Sequence, residues 1–253
     1  MPNEVLGMVL GFAVGVVLGL LGGGGSILAV PIFLYVFRVE PKPAIAMSLA
    51  VVGVSAFVGF LGHLRNGSVN LLVGVPFGLF AMGSAFLTAR VSDRVPESLQ
   101  LGLFAAFAFT AAIIMLWDSM RAKPAAPETP AAPHFTPVLA IEAVGVGALT
   151  ALIGAGGGFV IVPALVYLAD VPIRAAVGSS LLIITLNALS GFAGYIGEVP
   201  SDWGLVGSFT GVAAIGAVIG SRLNRHVPQA RIKQAFALLI LVLGGYLILR
   251  AVA

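Results

Sequence analysis

Two clusters of glycine interrupt apolar sequence, and the backbone around them could bind a small solute. The clusters occupy residues 22–25 and 154–158. A helix that restarts after such a cluster, at Ser26 or at Gly158, would aim free backbone N–H groups and a partial positive charge at the break, and these features suit an anion. The alternative is a close helix crossing without a ligand, because glycine also lets two backbones approach each other.

Neutral hydroxyl and amide groups follow each cluster at matching distances. The first set is Ser48 and Ser55, and the second is Ser180 and Asn187, with Ser179 beside it. A spacing of seven residues places both members of a set on one helix face. Such groups either donate hydrogen bonds to an anion that must later be released, or they bind helices to each other. The predicted substrate-binding residues are Gly23, Gly24, Gly25, Ser26, Ser48, Ser55, Gly156, Gly157, Gly158, Ser179, Ser180 and Asn187.

Two ionisable residues are candidates for proton coupling. Glu142 lies inside an apolar run, and an intramembrane acid is typical of a proton relay; an interfacial position is the alternative. His63 could titrate near neutral pH, although it lies at a helix end beside Arg65, where a loop role is the alternative. No catalytic motif, metal-ligating cluster or cysteine occurs in the sequence, so we expect neither an enzyme, nor a metal, nor a cofactor.

The elements that position these residues must lie in lipid. The chain is 59% hydrophobic and 9% charged, with a mean hydropathy of +1.10, whereas about a quarter of the residues in a soluble domain are charged. The apolar runs are continuous over roughly 20 residues, which predicts transmembrane helices and excludes the alternation of a barrel. The net charge of +3 reflects loop residues that orient helices and does not predict nucleic-acid binding.

The two halves of the sequence align on each other. One offset of 132 residues places Ser48 on Ser180, Pro31 on Pro163 and the first glycine cluster on the second. Internal duplication of this kind is typical of secondary transporters. A proline-rich segment that cannot be a helix in lipid separates the halves. The predicted organisation is a first transmembrane repeat at 1–117, a linker at 118–137 and a second repeat at 138–253.

Each repeat is expected to contain a glycine-broken, hairpin-like first helix and three full transmembrane helices, the last at 98–117 and 231–250. Residues 5–37 are too long for one crossing, yet each side of the glycines is shorter than the roughly 30 Å hydrocarbon core. If the broken helix returns to its starting side, the repeats are inverted; if it crosses, they are parallel. We favour the all-α, inverted arrangement, which the positions of lysine and arginine do not decide.

The order of these motifs resembles the sulfite exporter TauE/SafE family of membrane transporters. The resemblance rests on residues 22–31 with 42–49, and on residues 154–163 with 174–181. It covers nearly the whole chain except the linker. Ala155 replaces a glycine in the second cluster, which argues against a strictly symmetric site.

This resemblance implies a multi-pass protein of the bacterial cytoplasmic (inner) membrane that moves sulfur-containing anions. We therefore expect a secondary transporter, an exporter of sulfite or of organosulfonates such as sulfoacetate, that works by alternating access. A passive channel for anions or small solutes and a non-transporting membrane scaffold are the alternatives. The expected partners are a small anionic substrate and membrane lipid, and we do not expect nucleic acid to bind. A homodimer is a further possibility that the sequence does not decide.

Overall fold

A computed structural model describes residues 2–103, 105–106, 110, 113, 135–154, 156–197 and 202–224. All regular structure in these ranges is helical, which confirms the predicted all-α class. Most of the predicted linker, the whole predicted span 231–250 and half of the predicted span 98–117 lie outside the described residues. The first four helices are α1 (Pro2–Leu21), α2 (the consecutive turns Gly24–Leu28, Ala29–Pro31 and Ile32–Val36), α3 (Pro41–Arg65) and α4 (Leu71–Val91). A short turn at Ser92–Arg94 follows α4, and the next helix, α5, begins at residue 97 and is described continuously to residue 103. The remaining helices are α6 (Pro137–Ile153), α7 (Gly158–Tyr167), α8 (Ile173–Tyr195) and α9 (Trp203–Leu223).

Four helices in the described part of the chain are long and apolar enough to cross a membrane. They are α3, α4, residues 174–195 of α8, and α9. Many of their large apolar side chains are exposed on α4 and α9, among them Leu72, Leu87 and Ile215. Because lipid is as apolar as these side chains, such a surface is suited to the bilayer core.

The chain reverses direction at the first glycine cluster. Gly22 ends α1 in the left-handed conformation (φ 68°), and its N–H donates to the Leu18 carbonyl at 2.9 Å. The following α2 packs back along α1, since Gly25 lies against Val14 and Leu18, and the Phe37 ring beyond its end covers Gly7. The start of α1 and the end of α2 are therefore neighbours.

The contacts between helices give their relative directions. Along α3 and α8, Leu49 meets Gly191, Gly53 meets Leu189, and Gly59 meets Leu181, so the two helices are antiparallel. Along α1 and α9, glycines of higher residue number on α1 contact residues of higher number on α9, so this pair is parallel. Those contacts join Gly11 to Phe209, Gly15 to Ala213 and Gly19 to Ala217.

Two helix crossings depend on the absence of a side chain. A Cβ atom on Gly15 would clash with the Ala213 carbonyl oxygen of α9, and one on Gly147 would clash with the Ala81 carbonyl oxygen of α4. Small residues permit this close approach, and dispersion contacts between the backbones then stabilise helix association in lipid. Gly11, Gly15 and Gly19 therefore let α1 pack closely against α9.

Gly147→Ala should lower the thermal unfolding temperature of the purified protein, because overpacking at such a site costs about 1–3 kcal/mol. Gly145→Ala on the same helix is the matched control, since nothing lies within 4 Å of its added Cβ. Alanine is the better helix former, so the control should unfold at an equal or higher temperature. Equal unfolding temperatures for both variants would contradict the crossing described above.

Candidate functional site

The two glycine clusters meet in the interior of the bundle. A Cβ on Gly23 would clash with the Cα atom of Gly158, and one on Gly156 would lie 3.2 Å from the Ser26 Cβ. All four residues are buried. We call this contact region the glycine junction, formed by Gly22, Gly23, Gly25 and Ser26 with Gly154, Gly156, Gly157 and Gly158.

The midpoints of α3 and α8 form the walls of the glycine junction. The Ile184 side chain of α8 contacts both Gly23 and Gly158, and Val52 of α3 packs against Gly156. Val52 and Ile184 occupy the same position in the 132-residue alignment. Each wall helix therefore presents an equivalent apolar residue to the two helix breaks.

Two serines from the wall helices bind the carbonyls of the left-handed glycines. The Ser48 hydroxyl donates to the Gly154 carbonyl at 2.9 Å, and the Ser180 hydroxyl donates to the Gly22 carbonyl. Each hydroxyl also lies near a carbonyl of its own helix, 2.7 Å from Ile45 for Ser48. Both serines thus bind to the glycine junction from the wall helices and satisfy backbone groups that the helix breaks expose.

Ser55 and Asn187 have no hydrogen-bond partner among the described residues, although both are buried. Ser55 is 1% exposed and Asn187 0% exposed, and neither the hydroxyl of the first nor either amide atom of the second is bonded. A buried polar group without a partner costs about 1–3 kcal/mol. Because native proteins rarely retain such groups, each marks a place where a ligand or solvent could bind.

The position of these two side chains follows from their neighbours on each helix. Ser55 lies one turn from Val52, which faces the glycine junction, and one turn from Gly59, which faces α8. Asn187 has the same relation to Ile184 and to Gly191. Both therefore lie one helical turn from the wall-helix residue that contacts the glycine junction, at the same level of the antiparallel pair. We call Ser55 and Asn187 the polar seam.

Thr150 is a further buried polar residue at the glycine junction that the sequence analysis missed. Its Oγ1 has no hydrogen-bond partner in the described structure, and it lies 3.1 Å from the place of a Cβ on Gly157. The available signal was a hydroxyl four residues before Gly154. Alignment of the repeats concealed it, because the equivalent residue is Leu18.

The remaining predicted binding residues have other surroundings. The Ser26 hydroxyl donates to the Gly23 carbonyl at 2.7 Å, inside its own turn. Ser179 accepts from the Asn70 N–H at 2.7 Å, at the start of α4 rather than at the glycine junction. Gly25 faces α1, and Gly24 begins α2.

The two candidates for proton coupling lie apart from the polar seam. His63 is buried at the end of α3, with Nε2 3.3 Å from the Gly19 carbonyl and Nδ1 3.2 Å from the Ser68 hydroxyl. Glu142 lies near the start of α6, twelve residues or about 18 Å of helix before Gly154. The described ranges contain no group of three His, Asp or Glu side chains that could hold a metal.

Ser48→Ala and Ser180→Ala should each lower the thermal unfolding temperature, because each leaves a glycine carbonyl of the junction without its donor. The expected loss is about 0.5–2 kcal/mol per hydroxyl. Ser208→Ala is the control, since this exposed hydroxyl bonds only within α9. Unfolding temperatures that match the control for both variants would show that the two bonds contribute nothing to stability.

Comparison with known proteins gives a consistent result over nearly the whole chain. The family model "Sulfite exporter TauE/SafE" matches residues 7–247. The chain is 33% identical to a "Probable membrane transporter protein" of Xylella fastidiosa (strain Temecula1), over 95% of this chain and 93% of the relative. It is 26% identical to the "Probable membrane transporter protein YdhB" of Bacillus subtilis (strain 168), over 92% of this chain and 95% of the relative. The chain therefore belongs to the TauE/SafE family of membrane transporters and is a multi-pass membrane protein.

Proposed function

We propose that this protein is a secondary transporter that exports small sulfur-containing anions, such as sulfite or organosulfonates, across the bacterial cytoplasmic membrane. The polar seam is the substrate site, with Thr150 beside it. The observation that carries this proposal is the pair of buried, unbonded side chains one helical turn from the residues that contact the glycine junction. The family description supports the class of substrate.

The proposed mechanism requires inverted repeats, and contacts that recur at the same offset support them. Adding or subtracting 132 converts Ser48–Gly154 into Ser180–Gly22. The same operation converts other contacts into each other: Gly15–Ala213 into Gly147–Ala81, and Gly59–Leu181 into Gly191–Leu49. The equivalent helices α3 and α8 are antiparallel. A twofold axis that relates them must therefore cross the helices, as it does in inverted repeats.

The two serine–glycine hydrogen bonds flank the polar seam on opposite sides. Ser48 precedes Ser55 by seven residues, and Ser180 precedes Asn187 by seven, about 10 Å along each helix. Since α3 and α8 are antiparallel, these 10 Å steps run in opposite directions. We call the bonds Ser48–Gly154 and Ser180–Gly22 the hydroxyl gates. In alternating access, one hydroxyl gate opens toward one side of the membrane while the other stays closed.

Neutral donors suit a substrate that must be released. The basic residues of the wall helices lie near their ends, at Lys42 and Arg65 on α3 and Arg174 on α8. The fixed cations of these two helices, which could retain an anion too strongly in a low dielectric, are therefore distant from the polar seam. Hydrogen bonds from hydroxyl and amide donors contribute less binding free energy than an ion pair would, so the anion can dissociate when the gate opens.

Single cysteines test the inverted arrangement, because the natural chain contains no cysteine. Asn66→Cys lies in the exposed turn after α3, and Ile196→Cys lies in the exposed turn after α8. A membrane-impermeant maleimide applied to intact cells should label one and spare the other, and open membrane vesicles should allow both to react. Labelling of both, or of neither, in intact cells with full labelling in open vesicles would contradict inversion.

Asn187→Leu should reduce protein-dependent sulfite flux into proteoliposomes by at least about tenfold without lowering the unfolding temperature. The substitution keeps the number and branching of the side-chain heavy atoms and removes an unbonded amide, so stability should be equal or higher. Flux should saturate in the natural protein. Non-saturating flux would indicate a channel, and absence of flux would indicate a scaffold.

Gly145→Leu, on an open surface of α6, is the control and should retain full flux. Unchanged flux in Asn187→Leu would remove the polar seam from the mechanism.

A further inference from the structure

The polar seam offers hydrogen-bond acceptors as well as donors. Asn187 carries two N–H donors on Nδ2 and a carbonyl acceptor on Oδ1, and both atoms are buried and unbonded. Because neither atom has a protein partner, this balance does not depend on which way the amide is oriented. Ser55 adds a hydroxyl that can donate or accept.

A fully deprotonated oxyanion cannot satisfy both polar atoms of the Asn187 amide. Its oxygens would accept from Asn187 Nδ2, but they would face Asn187 Oδ1 without a proton between them. The buried carbonyl would then stay unbonded and would lie near a like partial charge. A site of this kind discriminates against ligands that leave its polar groups unpaired.

Burial also disfavours a second charge on the ligand. The charged residues of the wall helices lie toward their ends, so no fixed cation of these helices offsets the ligand at the polar seam. In a continuum description the desolvation cost rises with the square of the charge, so a dianion costs about four times as much as a monoanion. A proton or hydroxyl on the ligand therefore improves both its hydrogen bonding and its transfer from water.

We propose that the polar seam selects a singly charged sulfur oxyanion that carries its own hydrogen-bond donor, which Asn187 Oδ1 accepts. Hydrogensulfite and hydroxylated sulfonates belong to this class, whereas sulfate, sulfite dianion and unsubstituted alkanesulfonates do not. This inference rests on the proposed transport function and narrows its substrate. The preference resides in Asn187, because the equivalent residue of the first repeat, Ser55, has only a hydroxyl.

Isethionate and ethanesulfonate provide the test, because both are monoanions and they differ by one hydroxyl. Each is titrated against the purified full-length protein, and affinity is obtained from the rise in unfolding temperature, since a ligand that binds the folded state stabilises it. Isethionate should bind about tenfold more tightly, the effect expected for one hydrogen bond to a buried acceptor. In Asn187→Leu the affinities for the two sulfonates should be equal. The control variant Asn66→Leu, in the exposed turn after α3, should still bind isethionate more tightly than ethanesulfonate.

Equal affinities in the natural protein, binding of neither sulfonate, or an unchanged preference in Asn187→Leu would overturn the inference. Sulfite flux into proteoliposomes is measured in parallel. Flux with equal sulfonate affinities would leave transport standing and remove only the selectivity. Absence of protein-dependent sulfite flux would instead overturn the proposed function, whatever the sulfonates do.

Discussion

A helix that breaks inside a membrane exposes backbone groups that lipid cannot solvate, and the rest of this structure depends on how they are satisfied. The left-handed glycines after α1 and α6 expose one carbonyl each, and a serine from the opposite half of the chain donates to it. Neither half supplies the donor for its own break. The two halves consequently fold against each other, and the breaks meet in the middle of the bundle.

Glycine at the junction has two separate physical roles. At Gly22 and Gly154 glycine permits a positive φ, which residues with a side chain rarely adopt. At Gly23 and Gly158 it permits two backbones to touch. The same region therefore combines tight packing with polar atoms that are left unbonded at Ser55, Asn187 and Thr150. Unbonded groups reduce stability, and the retention of these three fits a trade of stability for binding.

Much of the arrangement could be predicted from the sequence. Hydropathy gave the transmembrane helices, and the glycine runs gave the positions of the breaks. The 132-residue alignment paired Ser48 with Ser180 and Ser55 with Asn187. Periodicity assigns a residue to a helix face but does not identify the element opposite that face. The sequence therefore could not separate Ser48, which binds a carbonyl, from Ser55, which has no partner.

Other parts of the site depend on tertiary contacts that cannot be predicted from a single sequence. Thr150 was missed because the residue that aligns with it at the 132-residue offset is Leu18, so comparing the two halves of the sequence did not reveal a polar pair. Ser179 was grouped with Ser180 because they are adjacent, yet consecutive helical residues point about 100° apart, and Ser179 binds Asn70 instead. The burial of His63 against Gly19 likewise follows from the approach of α1 to α3.

The central claim is that substrate binds at the polar seam, beside the glycine junction. Selenite tests it most directly, because it resembles sulfite, its selenium scatters anomalously, and the chain has no cysteine for it to oxidise. Crystals grown with selenite should show an anomalous peak between Ser55 and Asn187 that disappears in Asn187→Leu. A peak only at exposed basic residues such as Arg90 or Arg222, or an unchanged peak in the variant, would contradict the account.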